Sequence, residues 1–209
     1  MYKIINELNE YRTSASVSNQ YKNSIITKNL ELYISNMKKL NPLIIMIGEA
    51  PGYKGCKLTG IPFTSEEIMM SENHFGLFGS HTGYNVVGEH NKYAKENSST
   101  IVWNTYLSNE LCPLMWNAFP FHPHKIDNQH SNRTPNKDEI EIGNNFLKTL
   151  LIEFPTIKYY VAVGNKADKC LDILGIKHIK IRHPSMGGKQ EFIRGVMEMK
   201  KLHLVGLLS

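Results

Sequence analysis

The sequence predicts an α/β fold: a single three-layer αβα domain around a central, mostly parallel sheet of four strands. Three observations lead to this prediction. Short apolar runs rich in branched residues occur four times, each bounded by turn residues, which is typical of buried parallel strands. Amphipathic segments at helical spacing separate these runs. Strands that alternate with helices favour a parallel sheet with helices on both faces.

Length and composition agree with one globular domain spanning residues 1–209. A chain of 209 residues is long enough to bury a sizeable core. Its 41% hydrophobic and 21% charged residues are ordinary for a soluble protein, and we find no internal repeat.

The charge balance favours a polyanionic partner. The net charge is +5 and the pI is about 9.0. No apolar run is long enough to cross a bilayer, and the N-terminal residues carry charges where a signal peptide needs an apolar core. We therefore expect a cytoplasmic monomer with no membrane partner.

The three cysteines do not indicate a metal site or a disulfide framework. Cys56, Cys112 and Cys170 lie far apart in the sequence and form no CxxC pair. Cys112 with His122 and His124 fits no standard zinc spacing. We expect neither a metal nor another cofactor.

The first forty residues predict helix with a polar interruption over Thr13–Ser24. Asn41-Pro42 ends the helix, and the run Leu43–Ile47 is the first strand. The residues from Gly48 to Phe63 then predict a long loop, because they include several glycines and a proline without an amide hydrogen. A loop at the carboxyl end of a strand is where ligands bind in open α/β sheets.

A second helix should begin near Thr64–Glu67. Residues 73–97 are polar and contain four glycines, so we predict a flexible insertion or flap there, or else an irregular surface loop. Ser98-Ser99 can cap a helix over Ile101–Leu111, with Leu107 among its inward-facing residues.

The second half of the chain repeats the strand and helix pattern. The three further strands are expected over Leu114–Phe119, Ile157–Val163 and Ile176–Ile181. Between them, Thr134 is the expected N-cap of a helix with Pro135 at its first position. Asn165 is the expected cap of the next helix, and a last helix begins near Lys189.

Polar and aromatic residues follow three of these strands. The first loop carries Glu49 and Phe63, the second strand ends at Asn117, and the fourth is followed by His183 and Ser185. Since the carboxyl ends of parallel strands share one sheet edge, we expect these side chains in one cleft. An amide can read the edge of a nucleobase, a ring can stack on its face, an imidazole can donate to a developing anion and a carboxylate can orient water.

The chain resembles the uracil-DNA glycosylase superfamily, most closely the branch whose thermophilic members carry an iron–sulfur cluster. Ordered motifs over about two-thirds of the chain carry the resemblance. They are Gly48-Glu49-Ala50-Pro51-Gly52, Thr59-Gly60-Ile61-Pro62-Phe63, Asn117, Asn132-Arg133-Thr134-Pro135 with Glu139, Val161-Ala162-Val163-Gly164 and His183-Pro184-Ser185.

The resemblance implies a monofunctional DNA glycosylase that extrudes a nucleotide from DNA and leaves an abasic site. Phe63 would stack on the base and Asn117 would read its edge. His183 would stabilise the departing base and Glu49 would position water. The backbone of the loop would also hold the base, and the residues concerned are Ala50, Pro51, Gly52 and Tyr53.

The resemblance also implies contacts to DNA. Met186 would be the apolar wedge that fills the vacated stack. Cations near the cleft suit phosphates. The residues expected at DNA are Lys54, Lys57, Arg133, Arg182, Ser185, Met186, Gly187 and Lys189.

Two departures from the family pattern keep alternatives open. The chain has too few cysteines for the cluster, and the acidic residues expected after Gly52 are replaced by Tyr53-Lys54-Gly55-Cys56-Lys57. A second carboxylate would therefore be missing. The same fold acting on another damaged or modified base, or a non-catalytic DNA-binding or replication accessory protein, are the alternatives to a uracil-DNA glycosylase.

Overall fold

The structure is a computed structural model that describes residues 2–72, 75–88 and 91–208. Its strands are β1 (Val17–Ser18), β2 (Ile44–Gly48), β3 (Leu114–Asn117), β4 (His122–Pro123), β5 (Tyr159–Val163) and β6 (Ile179–Ile181). Its helices are α1 (Lys3–Glu10), α2 (Ser24–Leu40), α3 (Cys56–Thr59), α4 (Glu66–Met69), α5 (Asn97–Ser108), α6 (Lys137–Glu153), α7 (Asn165–Ile173) and α8 (Lys189–Leu208).

The central sheet has four parallel strands in the order β3-β2-β5-β6. Every residue of β2 and β3 is buried, as expected when helices cover both faces of a parallel sheet. The predicted α/β class, the four strands and their parallel arrangement are confirmed. The strands are shorter than the apolar runs, because Ile157 and Ile176 lie in the turns that lead into β5 and β6.

The sheet order fixes where a ligand site can form. From β2 the chain moves outward to β3 on one side, and β5 and β6 lie on the other side. This reversal is a topological switch point, where a crevice opens between loops that leave in opposite directions. The carboxyl ends of β2 and β3 therefore lie beside that crevice.

Helix starts differ from prediction at three positions. Helix α7 has Gly164 at its N-cap position and no capping side chain, so Asn165, the expected cap, is instead its first residue. The N-cap of α6 is Asn136, not Thr134, because the Asn136 side chain accepts from the Glu139 amide while the Glu139 carboxylate accepts from the Asn136 amide. Helix α5 begins at Asn97 rather than at the two serines. Ser99 is buried inside this helix, and its hydroxyl accepts a hydrogen bond from the Ser65 amide at 2.8 Å.

The inward face of α5 was partly mispredicted. Val102 and Tyr106 are buried as expected, but Leu107 is 38% exposed. Trp103 is also fully buried, next to Phe78 in an edge-to-face ring contact at 5.0 Å. The buried face of the helix thus includes Trp103 and excludes Leu107.

The segment 73–97 contributes to the core. Residues 73, 74, 89 and 90 lie outside the described residues, but the described part buries Leu77, Phe78 and Tyr84. The ring of Phe78 also stacks at 6.3 Å on Tyr33 of α2. A wholly surface-exposed loop is therefore the wrong description of this segment.

The N-terminal segment is joined to the loops that bound the crevice. Strand β1 pairs antiparallel with β4, so the polar interruption contains a short strand that was not predicted. The Tyr21 hydroxyl donates to the Gly60 carbonyl at 3.0 Å, and the Gln20 amide donates to the Pro120 carbonyl at 2.8 Å. Ile4 and Leu8 of α1 are fully buried.

Candidate active site

Pairing between β2 and β3 brings the first two site residues together. Gly48 and Asn117 are register partners at the last position of each strand. The pairing continues beyond the strands, because the Ala118 amide donates to the Gly48 carbonyl at 2.8 Å and the Phe119 amide donates to the Glu49 carbonyl at 3.0 Å. Glu49 and Asn117 therefore leave adjacent strand ends.

A cavity of about 360 Å³ opens at this edge of the sheet. It brings together the carboxylate, ring, amide and imidazole that the strand ends were expected to supply. The predicted site residues that line it are Glu49, Ala50, Pro51, Gly52, Phe63, Asn117, Arg133, His183 and Ser185. The residues that line it without having been assigned a role are Cys56, Glu96, Ser98, Asn132 and Thr134.

Phe63 forms one wall of the cavity and is held in an unusual backbone conformation. Its φ is 55°, in the left-handed region that aromatic residues seldom occupy. The ring is 9% exposed and lies 6.5 Å from the His183 ring, at an interplanar angle of 35°. Strain of this kind persists where surrounding structure fixes it, often at functional sites.

Asn117 lines the cavity and is almost completely buried. Its exposure is 4%, and its Nδ2 lies 3.6 Å from the Cys56 Sγ, the hydrogen-bond partner that the structure records for this amide. Sulfur is a weak acceptor, so the Asn117 amide keeps capacity to bind a ligand.

The His183 ring is arranged as a neutral hydrogen-bond donor. The Ser185 amide donates to Nδ1 at 3.1 Å, and the Ser185 hydroxyl lies 2.7 Å from the same nitrogen. Because Nδ1 accepts, the proton of the neutral ring is on Nε2. Burial lowers the pKa of His183, and the positive charge of Arg182 lowers it further. A neutral imidazole with an Nε2–H group can donate to a developing anion.

Two side chains, those of His122 and Asn132, form hydrogen bonds with the backbone of the loop after Glu49. Buried His122 lies with Nδ1 at 2.7 Å from the Pro51 carbonyl, to which it donates. The Asn132 side chain accepts from the Tyr53 amide at 3.1 Å. The Tyr53 amide is therefore bonded to a side chain of the protein, and Tyr53 is not among the residues that line the cavity.

The Arg133 guanidinium, an expected phosphate contact, is bonded within the protein. Its guanidinium makes a two-point ion pair with Glu139, at 2.7 and 2.8 Å. The remaining N–H groups donate to carbonyl oxygens of His124, Thr134 and Ser16. All five N–H donors are thus used within the protein in the absence of DNA.

Apart from Ser185, which lines the cavity, the other residues expected at DNA lie outside the cavity lining in the described part of the chain. Met186 is 91% exposed and has a φ of 52°, and Gly187 is also exposed. Lys57 is half-buried, with its ammonium donating to the Gln129 carbonyl at 2.9 Å. The remaining expected cations, all exposed, are Lys54, Arg182 and Lys189.

Sequence reasoning missed Glu96 and Cys56. Glu96 belongs to the segment without regular pattern, immediately before α5, and nothing in its spacing connects it with the strand ends. Cys56 is buried at the start of α3, and burial raises the pKa of its thiol. Its place within the loop after Gly52 was the available signal that it lies near the cavity.

The family profile of the uracil DNA glycosylase superfamily matches residues 34–200. The chain belongs to the uracil-DNA glycosylase superfamily. The match identifies the superfamily and does not assign the chain to the iron–sulfur branch.

A solved structure shows that the fold is shared with another superfamily member. The crystal structure of SMUG2 from Pedobacter heparinus is similar to this chain with a TM-score of 0.68, 17% sequence identity, and 96% of each chain covered. At this level of identity the comparison supports the fold. No curated protein sequence matches the chain.

The described residues were compared with the requirements of a metal site and of a membrane-spanning helix, and they meet neither. Across residues 2–72, 75–88 and 91–208, no group of three or more His, Cys, Asp or Glu side chains is placed to hold a metal ion. Within the same residues, no helix combines the length and apolar character that a membrane span requires.

Proposed function

We propose that the protein is a monofunctional DNA glycosylase that removes uracil, the product of cytosine deamination, and so initiates base excision repair. Membership of the superfamily supports the reaction class. The observation that carries the proposal is that Glu49, Phe63, Asn117 and His183 line one cavity although they are distant along the chain.

The cavity is suited to a base that has been rotated out of the duplex. The Phe63 ring offers a face for stacking, and base–aromatic stacking contributes about 1–3 kcal/mol per base. The Asn117 amide offers a donor and an acceptor side by side to the hydrogen-bonding edge of the base. Both side chains are largely buried before the base arrives, which reduces the cost of ordering them.

The reaction breaks the bond between C1′ of the sugar and N1 of uracil. The bonding electron pair leaves with the base, which becomes an anion, while positive charge develops on the sugar. The His183 Nε2–H group donates a hydrogen bond to the carbonyl oxygen on which negative charge accumulates. Water then bonds to C1′, and its proton passes to the Glu49 carboxylate.

The outer surface offers means of holding DNA. The exposed cations Lys54, Arg182 and Lys189 suit phosphate contacts, and the net charge of +5 favours association with DNA. Exposed Met186 is suited to enter the space that the rotated base leaves.

The test is release of uracil from single-stranded and duplex oligonucleotides, followed by alkaline cleavage of abasic sites. We expect cleavage by the wild type and a loss of about a hundredfold or more in Glu49→Ala and His183→Ala. An exposed histidine, His81, supplies a matched control in His81→Ala, which should keep full activity. No cleavage of either substrate by the wild type would overturn the proposal.

Asn117→Ala separates a base-binding role from a structural one. Because the Asn117 amide has only a weak partner in the protein, we expect its removal to lower uracil release by about a hundredfold with little change in melting temperature. A large fall in melting temperature with proportionate loss of activity would mean that Asn117 acts through the fold.

A further inference from the structure

An amide alone does not distinguish uracil from cytosine. Uracil presents a ring N–H donor beside a carbonyl acceptor, whereas cytosine presents a ring nitrogen acceptor beside an amino donor. Rotation of an Asn side-chain amide by 180° exchanges its oxygen and nitrogen, so it can pair with either base. Recognition by Asn117 alone therefore does not explain how cytosine, the base from which uracil arises, would be rejected.

Cys56 holds the Asn117 amide only weakly in one orientation. The distance from Nδ2 to Sγ is 3.6 Å, at the long end for a sulfur contact. Burial keeps the Cys56 thiol protonated by raising its pKa, and a protonated thiol can accept or donate. A second group is needed to select one base.

The Glu96 carboxyl lies against the turn that contains Gly52 and Gly55. A Cβ added to Gly52 would be 2.6 Å from Glu96 Oε1, and one added to Gly55 would be 2.2 Å from Oε2, so the carboxyl packs directly on this turn. Cys56 follows Gly55 and contacts Asn117. Glu96, Cys56 and Asn117 all line the cavity.

The Glu96 carboxyl also has unused hydrogen-bonding capacity. Glu96 is the residue before α5, but its side chain makes no capping bond to that helix. No hydrogen bond or ion pair to its carboxyl is formed by any residue that the structure describes. Burial raises its pKa, as expected where desolvation is not compensated by donors. A carboxyl in this state is open to a donor on a ligand.

We propose that Glu96 is a second base-reading residue, which accepts a hydrogen bond from the ring N–H of a deaminated base. The inference rests on the proposed glycosylase function and names its substrate class. The ionised form of the Glu96 carboxyl, which a hydrogen bond from the base stabilises, only accepts. It therefore favours a lactam-type base such as uracil or hypoxanthine and disfavours cytosine or adenine, whose corresponding ring nitrogen carries a lone pair. Glu96 supplies the discrimination that a rotatable amide lacks.

The test compares single-turnover release of uracil and cytosine from otherwise identical duplexes by the wild type, Glu96→Gln and Glu96→Ala. Glutamine keeps the size of glutamate but can rotate to donate. We therefore expect Glu96→Gln to lower the uracil-to-cytosine rate ratio by about tenfold or more, and Glu96→Ala to lower uracil release by about tenfold. The matched control is Glu72→Gln, at an exposed position immediately before the segment 73–97 that contains Glu96.

Two further measurements distinguish base reading from a structural role. Binding to a duplex with an abasic-site analogue involves no base, so its Kd should stay within twofold in Glu96→Gln, and the melting temperature should be unchanged. Parallel losses of abasic-site binding and melting temperature would overturn the inference. So would an unchanged uracil rate combined with an unchanged rate ratio.

The outcomes also separate this inference from the proposed function. A wild type that releases uracil while the Glu96 variants keep its selectivity overturns the role of Glu96 alone. A wild type that releases no uracil overturns both.

Discussion

At the residue scale, the site depends on the absence of a side chain at Gly48. A Cβ at this position would lie 2.4 Å from Cζ of Phe63 and 2.9 Å from Oδ1 of Asn117. Contacts this short do not occur in real structures, so the ring and the amide would have to move apart. The absence of a side chain at the end of β2 thus leaves room for the Phe63 ring and the Asn117 amide to lie close together.

We therefore expect Gly48→Ala to lower uracil release by about a hundredfold, because misplacing reacting groups by about 1 Å costs that much. The measurement is single-turnover release together with thermal unfolding, since activity should fall more than stability does. An alanine variant with wild-type activity would show that Phe63 and Asn117 do not act from the positions described.

Single residues were predictable where a strand end placed them. Glu49, Asn117 and His183 each follow an apolar run, and parallel strands bring such positions to one edge. Glu96 was not predictable, because its position depends on the path of an irregular segment. Arg133 was expected to contact DNA because a sequence shows a cation but does not show its ion pair, here with Glu139.

At the element scale, the start of α6 is tied to the rim of the cavity through Glu139. This carboxylate completes the capping box with Asn136 and also pairs with Arg133. Burial alone would raise the pKa of Glu139, but hydrogen bonds from Arg133 and the Asn136 amide bring it below its usual value. One side chain therefore fixes both a helix end and a loop.

We expect Glu139→Gln to lower the free energy of unfolding by about 2–3 kcal/mol at neutral pH, since it leaves the Arg133 charge without its partner. A group with a lowered pKa in the folded state stabilises above its unfolded pKa, and this contribution is lost as the pH falls. The difference between the two proteins should accordingly hold from pH 7 to about 5 and shrink below about pH 4.

Denaturant unfolding across this pH range measures the difference. Lys137→Ala, which removes a neighbouring exposed cation, is the control and should change stability by less than about 0.5 kcal/mol. A difference between wild type and Glu139→Gln that grows towards acid pH would contradict the assignment.

Element types were predictable and their ends were less so. Thr134 and Asn136 both suit an N-cap, and what decides between them is the Glu three positions after Asn136. The strands were overestimated because apolar residues such as Ile157 also pack under turns. Helix α5 shows the same limit, since the sequence does not reveal which of its apolar positions meets the core.

At the scale of the whole molecule, the fold is retained with little sequence identity. The SMUG2 structure shares 17% of residues over 96% of each chain. Close packing of strands and helices constrains which positions are apolar far more than which apolar residue occupies them. The class and strand number could therefore be predicted from pattern, whereas the path of residues 73–97 could not.

The net positive charge predicts that the affinity of the protein for DNA falls as the salt concentration rises. If Lys54 and Lys189 each contact a phosphate, the double variant Lys54→Ala, Lys189→Ala should reduce the slope of log Kd against log salt concentration by about 2. Fluorescence titration of a duplex at several salt concentrations measures this slope. The matched double variant Lys28→Ala, Lys148→Ala, at exposed positions on α2 and α6, should leave it unchanged, and equal effects of both pairs would show that only total charge matters.

The contacts of the N-terminal segment have a practical consequence for fragment design. A recombinant fragment trimmed to the profile-matched span would begin inside α2 and lack Tyr21 and Gln20, whose hydrogen bonds hold the backbone at Gly60 and Pro120. It would also uncover the apolar surface that α1 covers. The span that the family profile matches thus omits residues that pack on the core and support the loops beside the cavity.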